Sequence, residues 1–350
     1  MITTVTLNAA IDKTYYLPSF GLGQVSRVQR MFAEPGGKGI NVARVIQQLG
    51  YPVIATGFVG GHNGRFIENA LSQQGIEHDF IHVEGESRLC LNVIEESKGS
   101  STELLEQGPV ISEEAWQLMQ AKLAHLAARS RIVCFSGSLP QGVPDDGYAQ
   151  LIAIVKQAGC LAFLDTSGSA LLQGIKALPD FVKPNEDEVR ALLTQVGWLR
   201  AGVGFKIEAD TGVSTRGEVE ASDDPETGTD TGTGADSSVS TEAVIRTGLL
   251  HLHSQGLPII TISLGSEGSV SVYAGALHRI KAPCIQPVNT VGCGDAFVAG
   301  MAIATAQGLP FQVCLERATA AASANALTDR AGNVHPDDVE RLLAAIAATH

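Results

Sequence analysis

The chain has 350 residues, 44% of them hydrophobic, which is enough for a large buried core in one or two domains. Its formal net charge is −13. An acidic surface repels nucleic-acid phosphates and anionic lipid headgroups, so neither a nucleic acid nor a membrane is expected as a partner.

The cysteines and the first residues predict a reduced, cytoplasmic protein. No two of the six cysteines form a C-x-x-C pair, which argues against a zinc site and against a disulfide framework. No basic segment precedes an apolar run at the start, so no signal peptide is expected. Every apolar stretch is shorter than the roughly 18 residues that a membrane span needs.

The N-terminal part alternates between strand-like and helix-like patterns, except in two β-prone stretches. These stretches, about residues 13–33 and 88–106, predict one small sheet standing off the main domain. A glycine-rich turn at 36–39 opens a helix with one apolar face. Strands are predicted over 2–7, 53–59, 78–83, 88–95 and 103–106. Helices are predicted over 40–49 and from the turn at 60–64 to residue 75.

The chain from residue 112 alternates regularly, which predicts a mostly parallel sheet with right-handed crossovers. Helices are predicted over about 112–129, 145–158, 168–176, 242–255, 296–307, 311–327 and 336–347. One more helix is predicted from the polar cluster at 183–188 to about residue 196. Strands are predicted over 132–135, 161–164, 180–182, 259–264, 269–273 and 277–281.

Residues 200–241 break this alternation. They are rich in Gly, Thr, Ser, Asp and Glu and almost lack large apolar side chains, which predicts a disordered acidic insertion in a surface loop. A tolerated insertion is one interpretation, since long loops cost little stability. A regulatory or partner-binding arm is the other.

The segment 289–297 (NTVGCGDAF) predicts an anion site with a base beside it. The apolar run that follows predicts a buried helix, so residues 292–295 form its N-terminus. The first N–H groups of a helix lack internal partners, and the helix dipole adds positive charge there. Glycines let an anion approach the backbone, whereas the Asp295 carboxylate is better suited to take a proton. The alternative is a turn in which Asp295 only caps the helix.

Five further polar or glycine-rich clusters lie at strand ends or helix starts. Ligands of an open α/β sheet bind at the carboxyl ends of its strands, so these clusters are expected at one edge together with the 292–295 turn. A base beside an anion site suits transfer of a phosphoryl group to a hydroxyl. The clusters cover residues 8–12, 36–41, 136–138, 183–188 and 263–268.

Two segments together resemble a known family. Residues 36–43 (GGKGINVA) and 290–295 (TVGCGD) are similar to the paired motifs of the ribokinase-like sugar kinases of the phosphofructokinase-B group. Residues 7–12 (LNAAID), 36–39 (GGKG) and 102–109 (TELLEQGP) look most like its tagatose-6-phosphate kinase and 1-phosphofructokinase branch.

The resemblance implies a fold, an assembly and cofactors. Residues 1–350 are expected to form one ribokinase-like α/β domain, a doubly wound, mostly parallel sheet flanked by helices. The stretches 13–33 and 88–106 are expected to form a small β-sheet lid over the sugar, which implies a homodimer through the lid. ATP and Mg²⁺ are the implied cofactors.

The resemblance also implies a role for each matching residue. Asp295 is the expected base, and the N–H groups of the anion site are those of Gly292, Cys293 and Gly294. The sugar hydroxyls are expected to contact Asp12, Gly37 and Asn41. The phosphate on the sugar is expected to contact Lys38, Arg27, Arg88 and Ser138. The nucleotide is expected to contact Lys183, Asn185, Ser263, Gly265, Gly268 and Asn325. Mg²⁺ is expected to be positioned by Asn185 and Glu188.

Three residues depart from the family pattern. Ala10 replaces a proline, which loosens a turn only, and Asn289 replaces an aspartate. Cys293 stands where alanine or serine is usual. A thiol at a helix N-terminus can have a lowered pKa, so one hypothesis makes Cys293 sensitive to thiol reagents. The alternative is a small residue that only fills space.

The predicted function is that of an ATP- and Mg²⁺-dependent kinase for a ketohexose phosphate, fructose 1-phosphate or tagatose 6-phosphate. The cations favour a phosphorylated sugar, because a guanidinium matches phosphate with two hydrogen bonds. Two alternatives stay open. One is a kinase of the same fold acting on an unphosphorylated sugar or a nucleoside, and the other is a catalytically silent sugar-phosphate sensor.

Overall fold

The computed structural model describes residues 1–195 and 241–348, and these have the α/β architecture that the sequence predicts. The predicted acidic insertion at 200–241 lies outside them, apart from Thr241, which begins a helix. The disorder of this insertion therefore stays a prediction.

The strands of the described residues form two sheets. In chain order they are β1 (Ile2–Thr6), β2 (Ala10–Leu17), β3 (Arg30–Gly36), β4 (Val53–Gly60), β5 (Glu77–His78), β6 (Ile81–Val83), β7 (Arg88–Glu95), β8 (Ser100–Leu105), β9 (Ile132–Ser136), β10 (Leu161–Asp165), β11 (Phe181–Val182), β12 (Ile259–Ser263), β13 (Ser269–Tyr273) and β14 (Ala276–Ile280). The larger sheet has ten strands in the order β14-β13-β12-β11-β10-β9-β1-β4-β5, with β6 paired to β4. Its pairs are parallel except β12–β13 and β13–β14, so it is mostly parallel as predicted.

Helices cover both faces of the larger sheet. They are α1 (Lys38–Gln48), α2 (Gly61–Gln73), α3 (Glu113–Ala127), α4 (Gly147–Gln157), α5 (Gly168–Gly174), α6 (Glu186–Gln195), α7 (Thr241–Ser254), α8 (Cys293–Ala306), α9 (Phe311–Ala326) and α10 (Pro336–Ala347). Alternate strand residues point to opposite faces. Ile132 and Cys134 of β9 accordingly belong to the same hydrophobic cluster as residues of α1, α2, α8, α9 and α10, whereas Val133 and Phe135 belong to the cluster that includes residues of α3 to α7. None of these described helices is long and apolar enough to cross a bilayer.

The two β-prone stretches form a separate four-stranded sheet, called the lid below. Its order is β3-β2-β7-β8, with β2 parallel to β7 and the two outer pairs antiparallel. β2 and β3 extend beyond the predicted 13–33 to Ala10 and Gly36, which are register partners. The lid therefore runs directly into the glycine-rich turn that starts α1.

Helix α8, which carries the TVGCGD motif at its start, is buried over most of its length. Its sequence is apolar all round, which is typical of a helix that contacts protein on every side. Gly300 lets α9 approach closely, since a Cβ there would lie 2.9 Å from Ala318 Cα. Packing of α8 against its neighbours thus fixes the position of its first turn relative to the sheet.

Candidate active site

Residues of the predicted clusters 8–12, 36–41 and 183–188 meet those of the 292–295 turn in one cavity at the carboxyl ends of the parallel strands. This main cavity has a volume of about 430 Å³. The lid, the start of α1 and the start of α8 supply its walls, and Asp12, Lys38 and Asp295 are among its lining residues. The structure therefore brings the 292–295 turn next to Lys38 and Asp12, as the sequence predicts.

Asp295 lies in the first turn of α8 and is 5% exposed. Its Oδ2 accepts a hydrogen bond of 2.9 Å from Asn41 Nδ2. Burial, followed by the negative charge of Asp165, raises the pKa of Asp295 to about 7. The charges of Lys38 and Lys183 and the hydrogen bond from Asn41 act in the opposite direction. A carboxylate with a pKa near neutrality can take up a proton at physiological pH, as a general base must.

The turn before α8 has the shape of an anion site. Gly292 has φ 85°, a left-handed conformation that favours glycine. A Cβ at Gly294 would lie 3.2 Å from Lys183 Nζ, so this ammonium lies directly beside the backbone of the turn. The first N–H groups of a helix have no partner within it. Backbone donors and a buried cation therefore act at the same point.

Asp165 belongs to this site although the sequence analysis assigned it no role. It ends β10, is 2% exposed, and neither of its oxygens accepts a well-formed hydrogen bond from the described residues. Lys38 Nζ and Lys183 Nζ each lie 3.5 Å from its Oδ1. Asp165 thus links the lysine predicted for the substrate phosphate to the lysine predicted for ATP. The sequence signal for Asp165 was its position at the end of a predicted strand, where ligands of an open α/β sheet bind.

A smaller cavity of about 220 Å³ adjoins the main cavity and is called the phosphate pocket below. Lys38, Arg88 and Ser138, all predicted to hold the substrate phosphate, line it. Arg88 Nε donates to the Asn8 carbonyl at 3.2 Å, which fixes the guanidinium. Arg27 lines neither cavity. It lies on the exposed loop after β2, and because β2 begins at the site, that loop is at the far end of the lid.

The three residues predicted to bind sugar hydroxyls, Asp12, Gly37 and Asn41, all line the main cavity. Burial raises the pKa of Asp12, against the charges of Arg44 and Arg88. Gly37 has φ 102°, and a Cβ there would clash with a β1 side chain at 2.7 Å. The Asn41 amide is turned towards the Asp295 carboxylate and donates a hydrogen bond to it in this structure.

A third cavity, of about 680 Å³, lies beyond the carboxyl ends of β11 and β12 and has the size of a nucleotide site. Asn185 and Ser263, both predicted to contact ATP, line it and form a β-bridge with each other. Gly265 and Gly268 lie in the turn between β12 and β13, with φ 57° and 95°. The predicted nucleotide residues on this side are therefore near one another.

Asn325 is an exception among the predicted nucleotide residues. It is 0% exposed, and its Nδ2 donates to the Val291 carbonyl at 2.9 Å. Its Oδ1 accepts from the Asn333 N–H at 3.1 Å. The structure does not support its predicted contact with adenine, because both ends of the amide are used inside the protein. Asn325 instead braces the turn that forms the anion site.

Asn185 and Glu188 form a capping box at the start of α6. Each side-chain oxygen accepts from the other residue's N–H at 2.8 Å. In the part of the chain that the structure describes, no group of three or more His, Cys, Asp or Glu side chains could hold a metal alone. A site with only one or two carboxylates fits Mg²⁺, because Mg²⁺ keeps several waters and binds substrate phosphates as well. Asp165 and Glu188 are such carboxylates, and both raise the pKa of Lys38.

Comparison with known proteins identifies the family. The profile of the pfkB family carbohydrate kinases matches residues 5–210 and 230–338. This chain belongs to the pfkB family. As a carbohydrate kinase, it is a phosphotransferase with an alcohol group as acceptor.

Individual relatives of this pfkB-family chain cover nearly all of its length. The tagatose-6-phosphate kinase of Staphylococcus epidermidis is 31% identical over 353 residues, which are 99% of this chain and 98% of that protein. Phosphofructokinase-2 of Escherichia coli superposes with a TM-score of 0.81 at 23% identity, covering 99% of both chains. Ribokinase of Thermotoga maritima gives 0.72 at 16% identity, covering 98% of this chain and 99% of that one. The two structures confirm the ribokinase-like fold.

The thiol of Cys293 is not activated. Burial raises the pKa of Cys293, although Asn325 Nδ2 lies within 3.5 Å of its sulfur as a donor. Its N–H donates to the Thr290 carbonyl at 3.3 Å, so this predicted anion-site donor already has a partner. The hypothesis of a lowered pKa is wrong, because desolvation and the charge of Asp295 outweigh the hydrogen bonds that lower the pKa.

We expect Cys293 to react slowly with iodoacetamide near neutral pH, because a raised pKa leaves little thiolate. The exposed Cys284 of the same chain is the internal control. Peptide mass spectrometry should show that Cys284 is alkylated faster than Cys293, since the thiolate is the reactive form. Faster labelling of Cys293 than of Cys284 would contradict this description of the thiol.

Proposed function

We propose that this carbohydrate kinase transfers the γ-phosphoryl group of ATP to a ketohexose phosphate, fructose 1-phosphate or tagatose 6-phosphate, and releases the bisphosphate. The proposal rests on two residues that the main cavity and the phosphate pocket share. Lys38 and Arg88 line both the phosphate pocket and the main cavity that contains Asp295. A sugar phosphate can therefore place its phosphate in the smaller space while one of its hydroxyls reaches the carboxylate.

The chemical role of each group follows from its position. The Asp295 carboxylate takes the proton of the acceptor hydroxyl as the oxygen attacks phosphorus. The backbone N–H groups at the start of α8 and the ammonium of Lys183 stabilise the charge of the transferring group. Phosphoryl transfer depends on positioning and on charge neutralisation more than on covalent chemistry with the protein.

The nucleotide is expected to lie along the third cavity, with its terminal phosphate beside Lys183 and Gly294. Mg²⁺ bound to the ATP phosphates would be held through Asp165 and Glu188, and it supplies charge neutralisation. Lys38 and Lys183 each lie 3.5 Å from the same oxygen of Asp165. The negative charge of Asp165 offsets the repulsion between the two ammonium groups, so both lysines can lie beside the reacting phosphates.

The choice of substrate rests on the phosphate pocket and on the relatives. The Staphylococcus epidermidis relative is named for tagatose 6-phosphate, a phosphorylated ketohexose. Two cations that converge on one small pocket beside the sugar site suit a phosphate better than a neutral group, which disfavours an unphosphorylated sugar or a nucleoside. An ionised carboxylate at an anion site disfavours a silent sensor, which needs no base.

The lid is also proposed to pair with the lid of a second copy. Strand β8 is exposed along its whole length, and Met31, Leu104 and Leu105 on the lid are exposed apolar side chains. An exposed edge with apolar side chains favours association. Phosphofructokinase-2 of Escherichia coli has a tetrameric form.

The substrate class can be tested through Arg88. Arg88→Ala should raise the KM for the sugar phosphate by about 10- to 150-fold, the equivalent of one lost charge-assisted hydrogen bond, with a smaller effect on kcat. ADP release is measured with fructose 1-phosphate, fructose 6-phosphate, tagatose 6-phosphate and the unphosphorylated ketoses. The matched control is Arg65→Ala, an exposed arginine on α2.

Two outcomes would contradict the proposed substrate. Faster turnover of unphosphorylated ketoses, unaffected by Arg88→Ala, would indicate a plain sugar kinase. No ADP release with any of these compounds, despite measurable binding of a sugar phosphate, would indicate the sensor.

The base can be tested by pH. Because the raised pKa of Asp295 lies at about 7, its reactive, deprotonated form is lost as the pH falls below that value. We expect kcat/KM to fall about tenfold per pH unit below about pH 7 and to level off above it. Asp295→Asn should reduce kcat by at least about 100-fold while the fold stays intact by circular dichroism. A flat profile down to about pH 5, or near-normal turnover of the variant, would exclude Asp295 as the base.

A further inference from the structure

Arg44 of α1 is a buried cation for which the proposed mechanism has no use. It is 6% exposed, and burial lowers its pKa. All of its hydrogen bonds within the described residues go to neutral oxygens. A guanidinium removed from water without a paired carboxylate is costly, and such a group is retained where it does something else.

The guanidinium is fixed from three sides. Its Nε donates to Gln74 Oε1, after the end of α2, at 3.2 Å. Its Nη1 donates to the Ala331 carbonyl, in the loop before α10, at 2.9 Å. Its Nη2 donates to the carbonyl of Pro35, at the base of lid strand β3. With these donors occupied in different directions, the guanidinium plane has one orientation.

The fourth contact leads to the base. Nη1 also donates to Asn41 Oδ1 at 3.0 Å, and Asn41 Nδ2 donates to Asp295 Oδ2 at 2.9 Å. A guanidinium has only donors, and an ionised carboxylate has only acceptors. The amide between them satisfies both neighbours in one orientation alone, with its oxygen towards Arg44 and its nitrogen towards Asp295. In the opposite orientation the amide N–H groups would face the Arg44 donors, and the amide oxygen would face the Asp295 carboxylate.

We propose that Arg44 is the positioning residue of the base: it locks the Asn41 amide so that the amide holds one oxygen of Asp295 and leaves the other for the acceptor hydroxyl. This inference rests on the proposed role of Asp295. Because Arg44 also holds the Pro35 carbonyl, the same guanidinium ties the base of the lid to the support of the carboxylate. Sequence reasoning missed it, since one arginine inside a helical pattern carries no signal.

The charged groups around Asp295 come from several elements. Lys38 and Arg44 lie on α1, Asp165 ends β10, and Lys183 follows β11. The charges of Glu34 and Asp12 of the lid, and of Asp295 itself, oppose the lowering of the Arg44 pKa by burial. Removing Arg44 therefore changes both the charge near Asp295 and the orientation of Asn41, and the test must separate the two effects.

A double-mutant cycle separates them. Arg44→Met should lower kcat about tenfold, with a smaller change in KM, when Asn41 is present. In the Asn41→Ala background the same substitution should lower kcat less than about twofold, because the amide that Arg44 positions is gone. Equal losses in both backgrounds would overturn the proposal and leave Arg44 a structural residue.

Arg330→Met is the matched control for the structural role. Arg330 also ties the lid to the loop before α10, through a contact of 2.8 Å with Glu34, but it has no hydrogen bond to Asn41. Its effect on kcat should be the same with and without Asn41. If Arg44→Met does not fold by circular dichroism, Arg44→Lys enters the same cycle, since it keeps the charge and the stem but not the planar fork. An equal loss with Arg44→Lys in both backgrounds is again a negative result.

A second measurement needs no substrate. Carboxyl-¹³C NMR titration of the ligand-free protein, with the Asp295 signal assigned by Asp295→Asn, should show the pKa of Asp295 rise on Arg44→Met, and rise less in the Asn41→Ala background. If the wild-type protein phosphorylates no sugar phosphate, the proposed function fails while this titration still tests the arrangement. If phosphorylation occurs and the pKa of Asp295 does not respond to Arg44, only the inference fails.

Discussion

The proposed chemistry depends on the burial of one carboxylate. Asp295 loses its hydration in the first turn of a helix that is itself surrounded by protein, and desolvation is the largest cause of its raised pKa. The carboxylate of Asp165 adds to this effect, and Lys38 and Lys183 limit it. The balance leaves a group whose proton affinity matches neutral pH. A carboxylate that was exposed or paired bidentately would be too weak a base.

The fold supplies this balance by geometry. Parallel strands bring Asp165 and Lys183 to one edge of the sheet, and the paired glycine turns start α1 and α8 at the same edge. The lid continues from the first of these turns, because Ala10 pairs with Gly36. Its position is therefore tied to the backbone that carries Lys38 and Asn41. For the proposed kinase, closure of this lid over the substrates would exclude water from the site and protect ATP from hydrolysis.

Most of the fold and part of the site could be predicted from the sequence. Periodicity placed α8 and the strand β9 correctly, and the TVGCGD segment identified Asp295, because glycine turns and strand ends leave local patterns. The remaining features depend on contacts between distant segments. Asn325 resembled a nucleotide residue but is used within the protein, Arg27 lies at the far end of the lid, and desolvation at Cys293 reverses the expected pKa shift.

The proposed function requires Asp295 to face a hydroxyl of a sugar whose phosphate lies in the adjoining pocket. A crystal structure with tagatose 6-phosphate or fructose 1-phosphate and a non-hydrolysable ATP analogue tests this directly. We expect the sugar phosphate to bind between Lys38, Arg88 and Ser138, with one hydroxyl within about 3 Å of the Asp295 carboxylate. A sugar phosphate bound away from this pocket, or one whose hydroxyls all lie beyond hydrogen-bond distance of Asp295, would contradict it.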